Sequence, residues 1–590
     1  MTDPSTTGRR SEALFRPSVS AAVVGGVFSA AVAVVLVVTW ARMSRADLAN
    51  SADLAALKAE LFARPGEPEL LERIRRLDLQ LRSDYFARRR RLKVGGWMLL
   101  AGAAVALAGV RFARAIRPDL PSPGPAPALG RIEHRTNRLG RWLVGGVAAG
   151  CVAAVAAVAF LYSPVALVSD VRYPTYEEYA ANWPRFRGAG GSGVSAHADA
   201  PMRWDARTGE GILWKTPIPL PGKSSPVVWG NRVFCTGATM GAAEVFCFDA
   251  DDGKLLWRRP VKTASTPAGE DIGDDTGYAA PTAAVDGQRV YAAFPNGDLA
   301  CLNFRGAVLW TRSEGVPDNT YGHASSLAIH ENLLIVQRDQ GQDPEQGLSE
   351  IMGVEGATGK VVWIEARPVK SSWTTPIIAR TPTGSQLITS ADPWVIAYDP
   401  ATGLELWRAK LMAGDVAPSP IYSGGLVLVV HSEAVLAAIR TDGSGDVTET
   451  HVAWTADDGL PDITSPVADG TRVYLVNANG LLSCYRIADG KKLWEKELDG
   501  AFNASPSLVG DRIYLIDQRG RCLIVAAADA YRSLGEASLN TRTAQEGNEQ
   551  DDPDAEQGAP ETFSASPAFM DGRIYIRGSQ HLYCIGARKP

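Results

Sequence analysis

The chain has 590 residues, with 60 Lys and Arg residues against 65 Asp and Glu residues. This length exceeds one ordinary hydrophobic core, so it predicts several domains or one large repeat array. The nearly balanced charge argues against a general nucleic-acid binder. The seven cysteines include no CxxC and no adjacent pair, which argues against a zinc site, a c-type haem and a dense disulfide framework.

Three apolar stretches follow a tail of residues 1–17, and each is predicted to form a transmembrane helix: 18–40, 94–111 and 142–163. A single cleaved signal peptide would not explain three such stretches. The third stretch has an alternative interpretation, because Ala149-Gly150-Cys151 resembles a lipidation box. Its apolar run continues past Cys151, which favours the helix.

The segments between these stretches differ in character. Residues 41–93 are predicted to form an α-helical hairpin, because Leu70, Ile74, Leu77 and Leu81 share one helical face after a break at Pro65-Gly66. The hairpin is either an interaction module or a spacer. Residues 112–141 form a linker rich in Pro and Arg.

The distribution of basic residues bears on membrane orientation. Arginines in the tail and in the linker favour a cytoplasmic N-terminus, with the chain after residue 163 outside the cytoplasm. The run ARRRRLK at residues 87–93 opposes this orientation. We expect the C-terminal part to lie in the periplasm, attached to the bacterial inner (cytoplasmic) membrane through the lipid bilayer.

A repeat begins after residue 182. A Ser/Thr/Ala-Pro dipeptide and a short apolar run recur eight times, roughly 40 to 60 residues apart, as in SSPVVWG and TSPVADG; Ser326 stands for the Pro of the third repeat. Each unit continues with a second strand such as RVYLVN, a tight turn, a third strand and a fourth strand. The pattern predicts an all-β eight-bladed propeller over residues 182–590, with four antiparallel strands in each blade.

The third and fourth strands share a motif, seen in FCFDADDGKLLW at residues 246–257. The Gly permits a left-handed turn, and the acidic side chain can accept hydrogen bonds from amides of that turn. The Trp of the outermost strand is expected to lie between neighbouring blades. Seven of the eight slots hold it: Trp214, Trp257, Trp310, Trp363, Trp407, Trp454 and Trp494; the seventh repeat lacks it near Leu534.

A small residue precedes the acidic position in the third strand. Cys247, Cys301, Cys484 and Cys584 occupy this slot in four different blades, so they are too dispersed to hold one metal. We expect them to pack, leaving room for the adjoining blade.

The ends of the array predict how it closes. The last repeat has no fourth strand, whereas ILWKTPIP, which contains Trp214, precedes the first repeat. This N-terminal strand is predicted to complete the last blade and remove the open sheet edge. Residues 540–562 are polar and acidic and are predicted to be a disordered insertion.

Two stretches carry a resemblance to a known family. The segment Ala397 to Trp407 and the run NWPRFRGAGGSGVS at residues 182–195 resemble the pyrroloquinoline-quinone (PQQ) propeller repeat and its bacterial proteins. That family includes quinoprotein alcohol dehydrogenases and non-catalytic propellers such as the outer-membrane assembly lipoprotein. The resemblance therefore implies the fold and leaves the chemistry open.

The loops that enter the innermost strands should converge on one mouth of the channel. They supply candidate ligand-binding side chains: Asp274, Asp275, Tyr278, Tyr321, His323, Trp373, Asp415, Asp462, Asn503 and Phe563. Such a ring could bind a small polar or planar ligand. Alternatively, the loops are polar because they face solvent, and His323 is a hydrogen-bonded structural residue.

An enzyme of the quinoprotein type would need more groups. The resemblance implies a carboxylate base, a calcium ion held by Glu, Asn and Asp, and often a disulfide between adjacent cysteines. No adjacent cysteines occur; Asp274 or Asp275 could act as the base and Asn503 as a metal ligand, but no local motif joins them.

The resulting prediction is a membrane-anchored, non-catalytic propeller that binds envelope proteins or a small ligand, without catalytic residues, cofactor, metal or nucleic acid. One alternative is a membrane-bound, PQQ-dependent quinoprotein dehydrogenase that uses PQQ and Ca2+. Another is an assembly scaffold in which the hairpin of residues 41–93 is a second docking surface.

Overall fold

The structure is a computed structural model. It describes residues 173–261, 272, 276–540 and 560–587, together with residues 15, 18–33, 36, 98–100 and 102–114. The chain divides into two compact units, Met1–Asp170 and Val171–Pro590.

The described part of the first unit is helical. Residues 18–33 and 102–114 are helices that pack so closely that a Cβ added to Gly25 would lie 2.8 Å from the backbone nitrogen of Ala106. None of the helices among the described residues is both long and apolar enough to span a bilayer. The transmembrane helices predicted at 18–40 and 94–111 therefore have no support in the described residues. The hairpin at 41–93 and the helix at 142–163 lie outside them, as do the linker after residue 114 and most of the tail.

The described part of the second unit forms eight antiparallel four-stranded sheets, two of which gain a short parallel strand. Blades are numbered here in chain order, with strands given from the channel outward. Blade 1 comprises Val227–Trp229, Arg232–Thr239, Ala242–Asp249 and Leu255–Pro260, and blade 2 comprises Ala284–Val285, Arg289–Ala293, Asp298–Asn303 and Val308–Ser313. Blade 3 comprises Ala328–His330, Leu333–Arg338, Glu350–Glu355 and Val361–Ala366, and blade 4 comprises Ile377–Thr381, Gly384–Ala391, Trp394–Tyr398 and Glu405–Lys410.

The remaining four blades follow the same order. Blade 5 comprises Ile421–Ser423, Leu426–Val430, Leu436–Arg440 and Val452–Ala456, and blade 6 comprises Val467–Ala468, Arg472–Val476, Leu481–Arg486 and Lys492–Glu497. Blade 7 comprises Ser507–Val509, Arg512–Ile516, Arg521–Ala526 and Ser533–Ser538, and blade 8 comprises Ala568–Met570, Arg573–Arg577, His581–Ile585 and Ile212–Pro217. The added strands are Gly445–Asp446 on blade 4 and Val194–Ser195 on blade 7. A helix, Tyr176–Ala180, precedes the blades, and a 3-10 turn, Pro344–Gln346, lies within blade 3.

The N-terminal strand closes the wheel as predicted. Ile212–Pro217 pairs antiparallel with His581–Ile585, and Trp214 lies opposite Cys584. The innermost strands of blades 8 and 1 also contact each other. The strand order therefore confirms the eight-bladed propeller and its closure.

A β-bulge precedes the Trp position in every blade. In blade 1 Cys247 pairs with Trp257 whereas Phe248 pairs with Leu255, so Leu256 is the extra residue. The small residue thus lies opposite the Trp of its own blade. The expected packing against the adjoining blade is also present at Cys301, whose Sγ lies 3.8 Å from the Gly356 carbonyl oxygen of blade 3. In blade 7 the large and small residues are exchanged, because Ile524 of the third strand lies opposite Gly535 of the fourth strand. Gly535 therefore occupies the position of the missing Trp, and Leu534 is the bulge residue.

The Trp of one blade lies on the turn of the next. A Cβ added to Gly253, whose φ is +72°, would lie 2.6 Å from the Trp214 ring, so this turn needs glycine for space as well as conformation. The Trp214 indole donates to the Ala250 carbonyl at 3.0 Å, and Asp249 accepts from the Asp251 amide at 2.8 Å.

The other six Trp residues of the motif show how general this contact between neighbouring blades is. Trp257, Trp310, Trp454 and Trp494 likewise donate to a carbonyl of the following blade. Trp407 donates instead to Gln386 of its own blade, beside the added strand Gly445–Asp446. The Trp363 indole nitrogen has no hydrogen-bond partner and its ring lies against Gly403.

The predicted insertion at 540–562 is described only at its ends. Residues 541–559 lie outside the described part of the chain, so the prediction of disorder stays a prediction.

Candidate functional site

A belt of hydroxyl side chains encircles the channel where the innermost strands begin. In seven consecutive junctions, from blade 1 to blade 8, a backbone N–H of one blade donates to the hydroxyl of the next blade at 2.9 to 3.0 Å. We call this the hydroxyl belt: Ser225, Thr282, Ser326, Thr375, Ser419, Ser465, Ser505 and Ser566, all buried. Because every acceptor belongs to a neighbouring blade, the belt joins the blades around the channel.

The belt corrects the alignment of two repeats. Thr282 follows Pro281, and Ser326 is equivalent to Ser225 and not to the Pro that follows it. The position shared by all eight repeats is therefore the hydroxyl residue. A Pro follows it in six repeats, where the innermost strand begins.

The opposite end of the channel is covered by residues 183–195, here called the strap. The Trp183 amide donates to the Val228 carbonyl at 3.0 Å, and Trp183 accepts from the Val228 amide at 2.8 Å. Pro184 accepts from the Val285 amide and Gly193 from the Leu508 amide, each at 2.8 Å. The strap thus forms backbone hydrogen bonds with the innermost strands of blades 1, 2 and 7.

Two buried arginines extend these contacts across the channel. Arg185 donates to the Pro376 carbonyl of blade 4 at 2.6 Å, and Arg187 donates to the carbonyls of Pro466 and Pro506 at 2.6 and 3.3 Å. Both side chains are 1% exposed, and burial lowers the pKa of Arg187 to about 9. The strap therefore seals the channel from this side.

We call the face that carries the loops entering the innermost strands the loop face. On this face the channel remains open as a cup. The cup has a volume of about 180 Å³ and is lined by the hydroxyl belt together with Phe186, Lys223, Trp373, Ile463 and Asn503. Phe186, which follows Arg185 and precedes Arg187 in the strap, is half-buried and lines the cup. The described lining contains no carboxylate, histidine or cysteine.

Three predicted site residues lie in or beside this cup. Trp373 and Asn503 line it, and Tyr321 packs edge-on against Trp373 with ring centroids 5.0 Å apart. Asn319 orients this pair, because its side-chain oxygen accepts from the Trp373 indole at 2.8 Å and from the Tyr321 amide at 3.1 Å. The rim therefore presents a fixed aromatic pair.

Other predicted residues lie elsewhere. Tyr278 lines a second cavity beside the cup. Asp415 and Asp462 are exposed and do not line the cup, while Phe563 is buried against Tyr583. Asp274 and Asp275 lie outside the described residues.

His323 is a buried residue and does not line the cup. Its backbone amide donates to the Pro295 carbonyl at 2.9 Å, and its Nε2 atom has no hydrogen-bond partner. Burial, with a smaller contribution from the Arg338 charge, lowers the pKa of His323 to about 4. The imidazole is therefore neutral at physiological pH, as in the structural interpretation of this residue.

Metal binding and thiol chemistry each place requirements on the described residues. No group of three or more His, Cys, Asp or Glu residues suited to a metal ion occurs among the described residues. The six described cysteines are free and buried, and burial raises the pKa of Cys247, Cys484 and Cys584 to about 12. These thiols are unreactive packing groups.

The sequence analysis missed the hydroxyl belt, Phe186 and Asn319. The belt had a visible signal, since a hydroxyl residue occurs at or next to each Pro used to align the repeats. Phe186 had none, because its place in the channel depends on partners far away in the chain.

Comparisons with known proteins identify a family for this chain. A family model described as "Outer membrane protein assembly factor BamB" matches residues 188–342 and 348–532. Two curated proteins of that name are 25% identical: one from Burkholderia pseudomallei (strain K96243) over 278 residues, 45% of this chain and 64% of that protein, and one from Alkalilimnicola ehrlichii over 209 residues, 35% and 50%. The chain thus spans about half to two thirds of the length of these relatives.

Two solved structures also match the chain at low identity. BamB from Moraxella catarrhalis is 15% identical, with a TM-score of 0.46 over 63% of this chain and 99% of that one. Quinohemoprotein alcohol dehydrogenase from Comamonas testosteroni is 14% identical, with a TM-score of 0.49 over 70% and 82%. The family match covers more than half of the chain, so the chain belongs to the PQQ-like β-propeller family described as outer membrane protein assembly factor BamB.

Proposed function

We propose that this protein is a non-catalytic propeller that binds other proteins of the bacterial cell envelope and acts there as a scaffold. The observation that carries this proposal is the blind cup, with a fixed aromatic pair at its rim and a belt of hydroxyls already engaged between blades. Its family and the name of its curated relatives support a role in outer-membrane protein assembly.

The aromatic rim suits protein recognition. Trp and Tyr contribute large, rigid contact areas at little entropic cost and are enriched among residues that dominate binding energy. Trp373 and Tyr321 are half-buried and held by Asn319, so little order is lost when a partner segment covers them.

The quinoprotein alternative fits the described residues poorly. PQQ with Ca2+ would supply alcohol-oxidation chemistry, and Ca2+ takes six to eight oxygen ligands, typically including carboxylates. The described lining of the cup offers hydroxyls and Asn503 but no carboxylate. Purified protein mixed with PQQ and Ca2+ should show no bound-quinone absorption band and no dye-linked alcohol oxidation.

Attachment to a membrane is proposed from the sequence of residues 1–170 alone. The apolar stretches there, especially 142–163, motivate a bilayer contact with the propeller in the periplasm. Protease added to spheroplasts should digest the propeller, and membrane fractionation should place the chain with one membrane. Digestion only after lysis would reverse this orientation.

Site-directed photo-crosslinking in cells tests the binding role. A photo-reactive phenylalanine replaces Trp373 on the loop face or Leu404, which is 63% exposed at a turn on the strap side. The Trp373 position should give discrete protein adducts in the envelope fraction that the Leu404 position does not give. Identical adducts from both positions, or none from Trp373, would contradict the proposed loop-face function.

A further inference from the structure

A second cavity lies on the loop face where blades 8 and 1 meet. It has a volume of about 190 Å³, and its polar lining includes Lys223, Tyr278, Ser564, Arg577 and Ser579. Lys223 and Ser564 also line the cup, so the two cavities are neighbours. A partner that covers the cup would therefore reach this cavity as well.

Arg577 is the unusual residue of this cavity. Its side chain is 1% exposed, and its Nη1 atom donates to the carbonyls of Ser224 and Thr236 at 3.1 and 2.7 Å and to the Ser224 hydroxyl. Its Nε and Nη2 atoms are buried and have no hydrogen-bond partner. Nη2 lies beside the cavity wall, since a Cβ added to Gly222 would be 2.8 Å from it.

No carboxylate among the described residues forms an ion pair with this guanidinium. Glu561, next to the same rim, accepts instead from the backbone amides of Gln580 and His581 and from the Tyr583 hydroxyl. A buried cation without a counter-charge is expensive, and two unused donors add to that cost. An anion bound in the cavity would relieve both.

We propose that this cavity binds a carboxylate of a partner protein, an Asp or Glu side chain, through the unpaired Nε–Nη2 edge of Arg577, which lies behind Gly222 of the cavity wall and is uncovered on binding. That edge offers two parallel N–H donors, the arrangement that a carboxylate accepts in a bidentate pair. Lys223 adds positive charge at the entrance. The inference rests on the proposed protein-binding function and names one group that the partner must carry.

The walls favour a carboxylate over a phosphate. Pro221, Ala238 and Ala565 give the cavity an apolar lining, which suits the methylene groups of an acidic side chain. A phosphate dianion carries more charge than the one buried guanidinium balances, and Lys223 lies only at the entrance, so burying the dianion would cost more than burying a carboxylate. The source is therefore expected to be a peptide and not a lipid headgroup or free phosphate.

The test uses the full-length protein and small probes in ligand-observed NMR titrations at constant ionic strength. Acetate should bind with a Kd of about 1 mM, more tightly than inorganic phosphate and chloride. The peptide acetyl-Ala-Glu-Ala-amide should bind about tenfold more tightly than acetyl-Ala-Gln-Ala-amide, because only the Glu peptide offers a carboxylate.

Variants assign the effect to the cavity. Arg577→Gln should weaken acetate binding by roughly thirtyfold or more, and Lys223→Gln by about threefold. Arg573→Gln is the matched control: it removes the same charge from the same strand, but Arg573 pairs with Asp251 and does not line the cavity. If Arg577→Gln lacks the wild-type circular dichroism, Lys223→Gln and the peptide pair decide the question.

Several results would overturn the proposal. They are unchanged acetate binding in folded Arg577→Gln, equal binding of the two peptides, or tighter binding of phosphate, which would indicate a phosphate-bearing ligand. Binding that appears only after Asp274→Asn with Asp275→Asn would show that a carboxylate of this chain fills the cavity. Photo-crosslinks from Trp373 would survive each of these results, so failure here is distinguishable from failure of the proposed function.

Discussion

The two ends of the channel are built from different kinds of contact. At the strap end, Arg185, Arg187 and Trp183 are buried and bound to carbonyls and strands of distant blades. At the loop end, the hydroxyl belt joins neighbouring blades only, and above it the side chains of Trp373 and Asn503 remain partly exposed. The strap end thus holds the wheel together, whereas the loop end leaves groups available for a partner.

This difference assigns stability and recognition to opposite faces of one domain. It predicts that substitutions at the strap end lower the free energy of unfolding most, and that substitutions at the partly exposed rim of the cup change binding with little loss of stability. Four measurements test the contrast.

The largest loss of stability should come from Trp183→Ala. Trp183 is 2% exposed and packs edge-on against Phe569 at 5.6 Å, so truncation opens a cavity where the strap enters the channel. We expect a loss of about 3–5 kcal/mol in the free energy of unfolding, measured by urea titration. Trp394→Ala, at a half-buried indole outside the channel, should cost much less. Equal losses would show that the strap is not a special support.

Acid should weaken the loop end through His323. Its folded pKa of about 4 lies below the ordinary value of 6.5, so the unfolded chain binds a proton that the folded chain does not bind. The stabilising contribution of neutral His323 to the free energy of unfolding is complete above pH 6.5 and is lost as pH falls from 6.5 toward 4. At pH 5 the loss should be about 2 kcal/mol.

The comparison of wild type with His323→Gln isolates that contribution. The variant cannot take up this proton, so the difference in unfolding free energy between the two proteins should change between pH 7.5 and pH 5. A constant difference over that range would mean that His323 titrates alike in the folded and unfolded chains.

A smaller effect is expected in the hydroxyl belt. Ser419 accepts from the Thr375 amide at 2.9 Å in a buried site, and Ser419→Ala leaves that N–H without a partner, at a cost of about 1–2 kcal/mol. Ser423 is a matched control because its hydroxyl also accepts from an amide of the next blade, Gly470, but at an exposed site. Ser423→Ala should change stability by about 0.5 kcal/mol or less. Equal losses of stability in Ser419→Ala and Ser423→Ala would show that burial does not strengthen the hydrogen bonds of the belt.

The sequence could predict the wheel because its signals are local and repeated. Each Gly turn and its Trp strand lie within about a dozen residues of each other in the chain. The unpaired strand around Trp214 likewise predicted the closure of the propeller, which its pairing with His581–Ile585 confirms. The exchange of Ile524 and Gly535 in blade 7 was missed, because it is a property of a pair across strands and not of either residue.

The channel was less predictable for a physical reason. Arg187 donates to carbonyls of Pro466 and Pro506, hundreds of residues away, and no local pattern announces such a partner. Loop sequences likewise placed Asp415 and Asp462 on the correct face without showing that they point to solvent. The pairing of Tyr321 with Trp373 depends on Asn319, a loop residue whose role is visible only once both loops are in place.

The smallest change in stability should accompany the clearest change in binding. Trp373 is half-buried, so Trp373→Ala should lower the free energy of unfolding by about 1 kcal/mol or less. With the photo-reactive residue moved to Asn503 on the same cup, this variant should lose most of the envelope adducts, because the aromatic contact of the rim is gone. Trp373→Phe keeps an aromatic face but loses the bond to Asn319, so its adduct yield should be intermediate. Full adduct yield in Trp373→Ala would show that partners bind this propeller somewhere other than the cup.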